Sequence, residues 1–120
     1  MKKDAGIILV VEDNSDLREA LVAVLESSGH DALGALNGKV ALEYARQHSI
    51  TLLITDLIMP EQEGIETIRF YVQEFPDIPI IAISGNPEYL PAAKHLGAAV
   101  VLAKPIGYAD LLHAVRSLIE

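Results

Sequence analysis

Four short aliphatic runs, each broken off by a polar or charged residue, limit what this chain can fold into. Residues 7–11 read IILVV and stop at Glu12-Asp13-Asn14. Residues 50–55 read ITLLIT and stop at Asp56. Residues 79–83 read PIIAI and stop at Ser84-Gly85, and residues 99–103 read AVVLA and stop at Lys104-Pro105. Short runs rich in β-branched residues, with no polar alternation, are the pattern of strands covered on both faces. Residues 31–35 (DALGA) are a weaker fifth candidate, because Gly34 lies inside the run and an internal glycine weakens a strand.

Between the runs the apolar spacing becomes helical. Leu17, Leu21, Val24 and Leu25 form one stripe, with Asn14 or Ser15 as N-cap and Gly29 as a stop. Val40, Ala41, Tyr44 and Ala45 form a second stripe after Asn37-Gly38. Ile65, Ile68 and Val72 form a third, closed by Phe75-Pro76, and Leu111, Leu112, Val115, Leu118 and Ile119 form the last. Residues 87–96 make a poorer helix, because Pro91 lacks an N–H and clashes with a preceding helical turn. Strand and helix alternate from end to end, which predicts an α/β fold: a parallel sheet with helices on both faces. No repeat or low-complexity linker interrupts the pattern, and both ends stop close to the regular elements. Residues 1–120 are therefore expected to form one module.

Composition narrows the function. The 120 residues are 51% hydrophobic with only four Tyr and two Phe, so an aliphatic core is expected, and a chain of this length can bury one without staples. The absence of cysteine excludes disulfides and thiolate metal sites and fits a reducing compartment. Seventeen acids against nine Lys and Arg give a net charge of −8. That balance opposes direct nucleic-acid binding, which needs cations to displace counterions, and opposes docking on anionic membranes. Residues 7–11 are too short for a signal core, and no stretch approaches a membrane span. A soluble, cytoplasmic domain is the expectation.

The polar residues that end the runs share an address. Glu12, Asp13, Asp56, Ser84 and Lys104 stand at the C-terminal ends of predicted strands, the edge where doubly wound sheets place their ligands. Three carboxylates crowded together are costly unless a cation joins them. With no cysteine and no histidine at a strand end, a hard, oxygen-preferring ion is the natural guest, Mg²⁺ foremost. A metal-bound Asp56 could attack a phosphoryl group in line. Ser84 could donate a hydrogen bond to a phosphoryl oxygen, Lys104 could offset another charge, and Gly85 would leave room for backbone to approach. Each has a plainer alternative: solvated loop acids, a helix cap at Ser84, a structural Lys104–Asp56 ion pair. His30, His48, His95 and His113 match no ligand spacing and read as surface or boundary residues. Met59 is expected to pack in the loop after Asp56, Glu61 and Glu63 to be solvated, and Tyr89 and Tyr108 to be half-buried.

These motifs strongly resemble the CheY-like receiver domain of two-component response regulators, over the whole chain. VVEDN (residues 10–14) is similar to the acidic pocket, TDLIMPEQEG (55–64) to the phosphoacceptor loop, IIAISG (80–85) to the switch-hydroxyl strand, and LAKPI (102–106) to the lysine-proline motif. The resemblance implies a flavodoxin-like, five-stranded parallel sheet in the order 2-1-3-4-5. It implies that Asp56 takes a phosphoryl group from the phosphohistidine of a histidine kinase or a histidine phosphotransfer protein. Glu12, Asp13, Asp56 and the backbone carbonyl of Ile58 would hold Mg²⁺, Ser84 would be the switch hydroxyl, and Lys104 would contact the phosphoryl group. A cis Lys104-Pro105 bond would aim the lysine. Such domains catalyse only their own phosphorylation and hydrolysis, and then shift the face made by the fourth helix, fifth strand and fifth helix. That face would meet an unidentified downstream protein, and the family pattern allows a phosphorylation-dependent homodimer.

Two departures fall on that output face. Val101 stands where the family often has an aromatic three residues before the lysine, and the segment from Ser84 to Gly97 is shorter than usual, with Pro87 and Pro91 inside it. Three rivals fit less well. A haloacid-type phosphotransferase needs a second acid two residues after its aspartate, where this chain has Ile58. In a flavodoxin, Glu12 and Asp13 would repel the cofactor phosphate. Against a degenerate receiver that binds partners without phosphorylation stands the intact set of five polar residues; for it stand Val101 and the altered fourth helix. Ile58 itself sets a rate. A branched apolar side chain two residues past the phosphoacceptor cannot orient a water by hydrogen bonding, so hydrolysis of the phosphoryl group is expected to be slow. Ile58→Asn is expected to shorten the phosphoryl lifetime on Asp56 several-fold, followed by intact mass after the phosphodonor is removed. An unchanged lifetime contradicts the assignment.

Overall fold

The structure, a computed structural model, describes residues 6–57 and 63–119, with side chains of 63–65 excepted. Ile58, Met59 and Glu61 lie outside the described residues, as does the side chain of Glu63. The chain alternates β1 (Ile7–Val11), α1 (Ser15–Ser27), β2 (Asp31–Ala35), α2 (Gly38–Gln47), β3 (Ile50–Asp56), α3 (Glu63–Glu74), β4 (Ile80–Ser84), α4 (Leu90–Leu96), β5 (Val100–Ala103) and α5 (Tyr108–Ile119). The five strands form one sheet in the order β2-β1-β3-β4-β5, and every neighbouring pair is parallel. This is the flavodoxin-like order expected from the motifs.

Side-chain direction along the strands divides the core. Leu9 and Val11 of β1, Leu53 of β3, and Ile80 and Ala82 of β4 face a layer with Ala41, Ala45, Ile68, Tyr71 and Ala93, contributed by α2, α3 and α4. Ile8, Val10, Leu52, Ile54, Ile81 and Ile83 face the other layer, with Leu21, Leu25, Leu111, Ala114 and Val115 of α1 and α5. Successive strand residues point to opposite faces, and here both faces are covered. That is why the strands read as unbroken aliphatic runs.

Helix ends follow local chemistry. Asn14 Oδ1 accepts from the Leu17 N–H at 2.9 Å, and Asn37 Oδ1 from the Val40 N–H at 2.9 Å, so each asparagine caps its helix. Gly29 has φ +94° just past α1, a conformation L side chains seldom adopt. Pro91 does not break α4, because it stands in the first turn, where an N–H has no intrahelical acceptor to lose. The helix is short, seven residues, and a 3-10 turn over Pro87–Tyr89 precedes it.

The third helix corrects an expectation. Its inward stripe is Ile68 and Tyr71, both fully buried, with Phe75 packed behind them, whereas Val72 is 38% exposed. The tyrosine wins because its ring fills more of the layer and its hydroxyl is satisfied, donating to the Ala41 carbonyl of α2 at 3.1 Å. Burial pushes the Tyr71 hydroxyl well above its ordinary pKa. An exposed Arg46–Glu74 pair also joins α2 to α3, with two parallel bonds of 2.9 Å. Among the described residues, no helix is long and apolar enough to cross a membrane.

Gly38 of α2 packs tightly on α3, where an added Cβ would fall on Thr67 Oγ1 and lie 3.3 Å from Thr67 Cβ. Thr67 is buried and β-branched, so its side chain has little room to turn. Gly38→Ala is therefore expected to destabilise the domain by about 1–3 kcal/mol, despite alanine's better helix propensity, as read by urea denaturation. A neutral or stabilising result would contradict this packing.

Candidate functional site

Parallel pairing puts the ends of β1, β3, β4 and β5 along one edge. Val11 is in register with Thr55, Asp56 with Ile83, and Ser84 with Ala103. The residues that end these strands therefore meet there. Glu12 and Asp56 are buried, at 2% and 8% exposure, while Asp13 is exposed. One carboxylate oxygen from each of Glu12, Asp13 and Asp56 lies within 4.8 Å of the others. Lys104, on the loop after β5, places Nζ 3.3 Å from Asp56 Oδ1 and 3.4 Å from Glu12 Oε1. The Lys104-Pro105 peptide is cis, and the Lys104 N–H donates to the Ser84 carbonyl at 2.9 Å.

Glu12 is held at almost every polar atom. Its N–H donates to the Ala35 carbonyl at 3.1 Å, its Oε2 accepts from the Asn14 N–H at 3.1 Å, and its carbonyl accepts from Arg18 Nη1 at 2.8 Å. Among the described residues its Oε1 is buried without a hydrogen-bond partner, and the Lys104 ammonium 3.4 Å away meets it as an ion pair. A buried carboxylate oxygen left over, in a group of three acids with all-oxygen donors, fits a hard divalent cation.

Ser84 is fully buried, and its hydroxyl is engaged in a local turn. Oγ donates to the Asn86 carbonyl at 3.1 Å and accepts from the Asn86 N–H at 2.9 Å. The cap of the 3-10 turn is Asn86, whose Oδ1 faces the Glu88 N–H at 3.4 Å, so Ser84 is not itself a helix cap. Packing does not demand a glycine at Gly85, since a Cβ there would make ordinary contacts of 3.8 and 3.9 Å with Lys104. Tyr89 is half-buried against the core as expected; Tyr108, expected to be half-buried, is 45% exposed. It borders a hollow beside Lys104 shared with Leu17, Pro105 and Ile106. Two polar residues at the site escaped the sequence reading, Arg18 and Asn86. The only clue to Asn86 was its place between Ser84 and Pro87; Arg18 looked like any solvated helix residue.

The electrostatics are short of positive charge. Burial raises the Glu12 carboxyl above its ordinary range; the Asn14 N–H opposes this, and the Asp56 charge adds to it. Burial likewise raises Asp56, with Lys104 opposing and Asp13 adding. Burial alone would lower Lys104, but Asp56 and then Glu12 reverse that and hold its pKa above the usual lysine value. The carboxylates' contribution to folding is therefore fullest below their unfolded pKa values and falls as pH rises through the folded ones. At neutral pH their ionisation costs stability, whereas the charge on Lys104 contributes it. In chelator, Asp56→Asn is expected to raise the melting temperature by ~5 °C, the shift for about 1 kcal/mol in a domain of this size. A lower melting temperature in calorimetry would mean that the Lys104 pairing outweighs the crowding.

Comparisons with known proteins point one way. Residues 8–116 match the family model described as the response regulator receiver domain. A curated relative, the response regulator receiver protein CpdR of Brucella abortus, is 34% identical over 114 residues, covering 93% of this chain and 95% of its own. The CAI-1 autoinducer sensor kinase/phosphatase CqsS of Vibrio cholerae is 31% identical over 92% of this chain, a match that covers 17% of that longer protein. A crystal structure of a response regulator receiver protein from Pseudomonas putida superposes with a TM-score of 0.87 at 35% identity, covering 97% of this chain and 99% of that one.

Proposed function

The chain belongs to the response regulator receiver domain family, and from that premise we propose that residues 1–120 form one phosphoacceptor domain of a two-component system, working in the cytoplasm. Asp56 takes the phosphoryl group from a phosphohistidine on a histidine kinase or histidine phosphotransfer protein. The observation that carries this reading is Lys104 Nζ, 3.3 Å from Asp56 Oδ1 and 3.4 Å from Glu12 Oε1, beside an acidic group one cation short of balance.

In this mechanism an Asp56 carboxylate oxygen attacks phosphorus as the N–P bond of the donor breaks. The bonding pair stays on the released ring nitrogen, and the imidazole leaves neutral because its other ring nitrogen carries the proton. Glu12, Asp13, Asp56 and the Ile58 carbonyl would hold Mg²⁺, which would supply positive charge against the phosphoryl oxygens. Lys104 exchanges its Asp56 contact for a phosphoryl oxygen and brings its positive charge with it. The hollow formed by Leu17, Pro105, Ile106 and Tyr108 opens beside Lys104 and leaves room for a donor to approach. The domain catalyses its own phosphorylation and hydrolysis and no other turnover.

Ser84 can serve the phosphoryl group as a donor only by giving up the Asn86 carbonyl. That hydrogen bond anchors the loop leading through the 3-10 turn into α4. Phosphorylation thus biases the position of α4 and with it the face of α4, β5 and α5, which meets a downstream protein or a second copy. Half-buried Val101 packs under this region and offers no aromatic rotamer to report the change. The seven-residue α4 and Val101 also favour a second reading, a module that binds partners without phosphorylation.

Acetyl phosphate with Mg²⁺ separates the two. The proposed function expects one added phosphoryl group by intact mass, none in Asp56→Asn, and at least a tenfold slower uptake in Lys104→Ala, a loss of about 1.4 kcal/mol in barrier. Absence of uptake by the wild type, with no spectral response to beryllofluoride, would leave the interaction module.

A further inference from the structure

The turn that carries Glu12 and Asp13 is held from behind by a side chain that phosphoryl transfer does not use. Arg18 lies in the first turns of α1, and its Nη1 donates to the Glu12 carbonyl at 2.8 Å. On its way there the side chain crosses β2 at Gly34. A Cβ on Gly34 would lie 2.9 Å from Arg18 Cγ, 3.0 Å from Cδ and 3.6 Å from Nε. The first distance is shorter than carbon atoms tolerate and the second is tight, so any larger residue would shift the arginine stem. A glycine inside a strand usually weakens it and often marks a close approach. Here the approaching group is Arg18.

The consequence falls on Asp13. The Glu12 N–H is fixed by the Ala35 carbonyl, one residue beyond Gly34 in β2, at 3.1 Å. The Glu12 carbonyl is fixed by Arg18. That carbonyl shares a rigid plane with the Asp13 amide, so a charge-assisted hydrogen bond at its oxygen sets the direction in which Asp13 leaves the strand. Asp13 is the exposed member of the acidic group, while Glu12 and Asp56 are buried. The guanidinium meets a backbone carbonyl and not a carboxylate oxygen, so its effect on the group is geometric.

We infer that Arg18, seated over Gly34, is a positioning residue that fixes the Glu12–Asp13 peptide and so presents Asp13 with Glu12 and Asp56 as a preformed cation site. This rests on reading that triad as a Mg²⁺ site. Residues that orient a metal's ligands typically change its affinity 10–100-fold, and the same is expected here without loss of fold.

The test is calorimetric titration of the full chain with Mg²⁺ alone, beside the melting temperature in chelator. Arg18→Met keeps an unbranched stem over Gly34 and removes the donors; it is expected to bind Mg²⁺ about tenfold more weakly while melting close to the wild type. Gly34→Ala, with Arg18 intact, is expected to weaken binding in the same direction. The double variant is expected to bind no worse than Arg18→Met, because both changes act through one contact. Equal Mg²⁺ affinity in Arg18→Met and wild type would overturn the inference and leave the phosphoacceptor reading standing, and so would losses that simply add in the double variant. Should Arg18→Met fail to fold, Gly34→Ala decides: weaker binding supports the inference and unchanged binding overturns it. A wild type that binds no Mg²⁺ would overturn the reading of the site together with the inference.

Discussion

Two buried carboxylates, Glu12 and Asp56, share one ammonium, Lys104, and the architecture serves that contact. Burying even one ionised carboxylate is expensive unless it is paired, and a third acid, Asp13, stands beside them. The strand order makes the pairing possible. β1 and β3 are neighbours, so Glu12 and Asp56 emerge side by side. β5 is two strands from β3, roughly 10 Å at ordinary strand spacing, so the cation has to reach over the end of β4. Small residues stand at that crossing: Ser84 ends β4, and the lysine stem passes 3.8–3.9 Å from where a Gly85 Cβ would be. A long, unbranched, cationic side chain suits that path, and Lys104 supplies one.

That arrangement leaves the site charged beyond its balance, and the excess gives it a function. Fully compensated, the acids would be a structural ion-pair network with little reason to accept anything. Among the described residues one ammonium serves three carboxylates and Glu12 Oε1 is buried without a hydrogen bond, so the resting site is disposed to take a cation. Glu12, at 2% exposure, has its amide, its carbonyl and its other carboxylate oxygen already occupied. It cannot relax by turning to solvent, and what remains open to it points at the place where its neighbours' charges converge.

Much of this was legible in the sequence, for a physical reason. Strands covered on both faces must be continuously apolar, so a charged residue at the end of such a run shows where the sheet edge lies. The aliphatic runs and the convergence of Glu12, Asp13, Asp56, Ser84 and Lys104 on one edge followed from that; for the first helix the choice between Asn14 and Ser15 as cap fell to Asn14. Three features did not. Spacing put Val72 on the inward stripe of α3, and Tyr71 takes that place because its hydroxyl finds a partner, the Ala41 carbonyl, thirty residues away. Pro91 reads as a breaker until the helix start is known, since two residues decide whether its missing N–H matters. Arg18 and Gly34 are unremarkable separately: one looks like a solvated helix residue, the other like a flaw in a weak strand. Only the crossing of α1 over β2 makes them a pair.

The same reasoning bears on how such a domain could report its state without an aromatic at position 101. A signal must pass from Ser84 to the surface of α4 through something with two arrangements. Ser84 Oγ is already part of a turn with Asn86, donating to its carbonyl and accepting from its N–H, and Asn86 begins the 3-10 turn ahead of α4. A hydroxyl has one proton to give. If it goes to a phosphoryl oxygen, the Asn86 carbonyl loses its donor and the turn must find another arrangement. Pro87 and Pro91 restrict the backbone on the far side of that turn, so the adjustment is passed toward α4 and not absorbed within the loop. Val101 would then need only to fill space, and the exclusive demand for one proton would carry the signal.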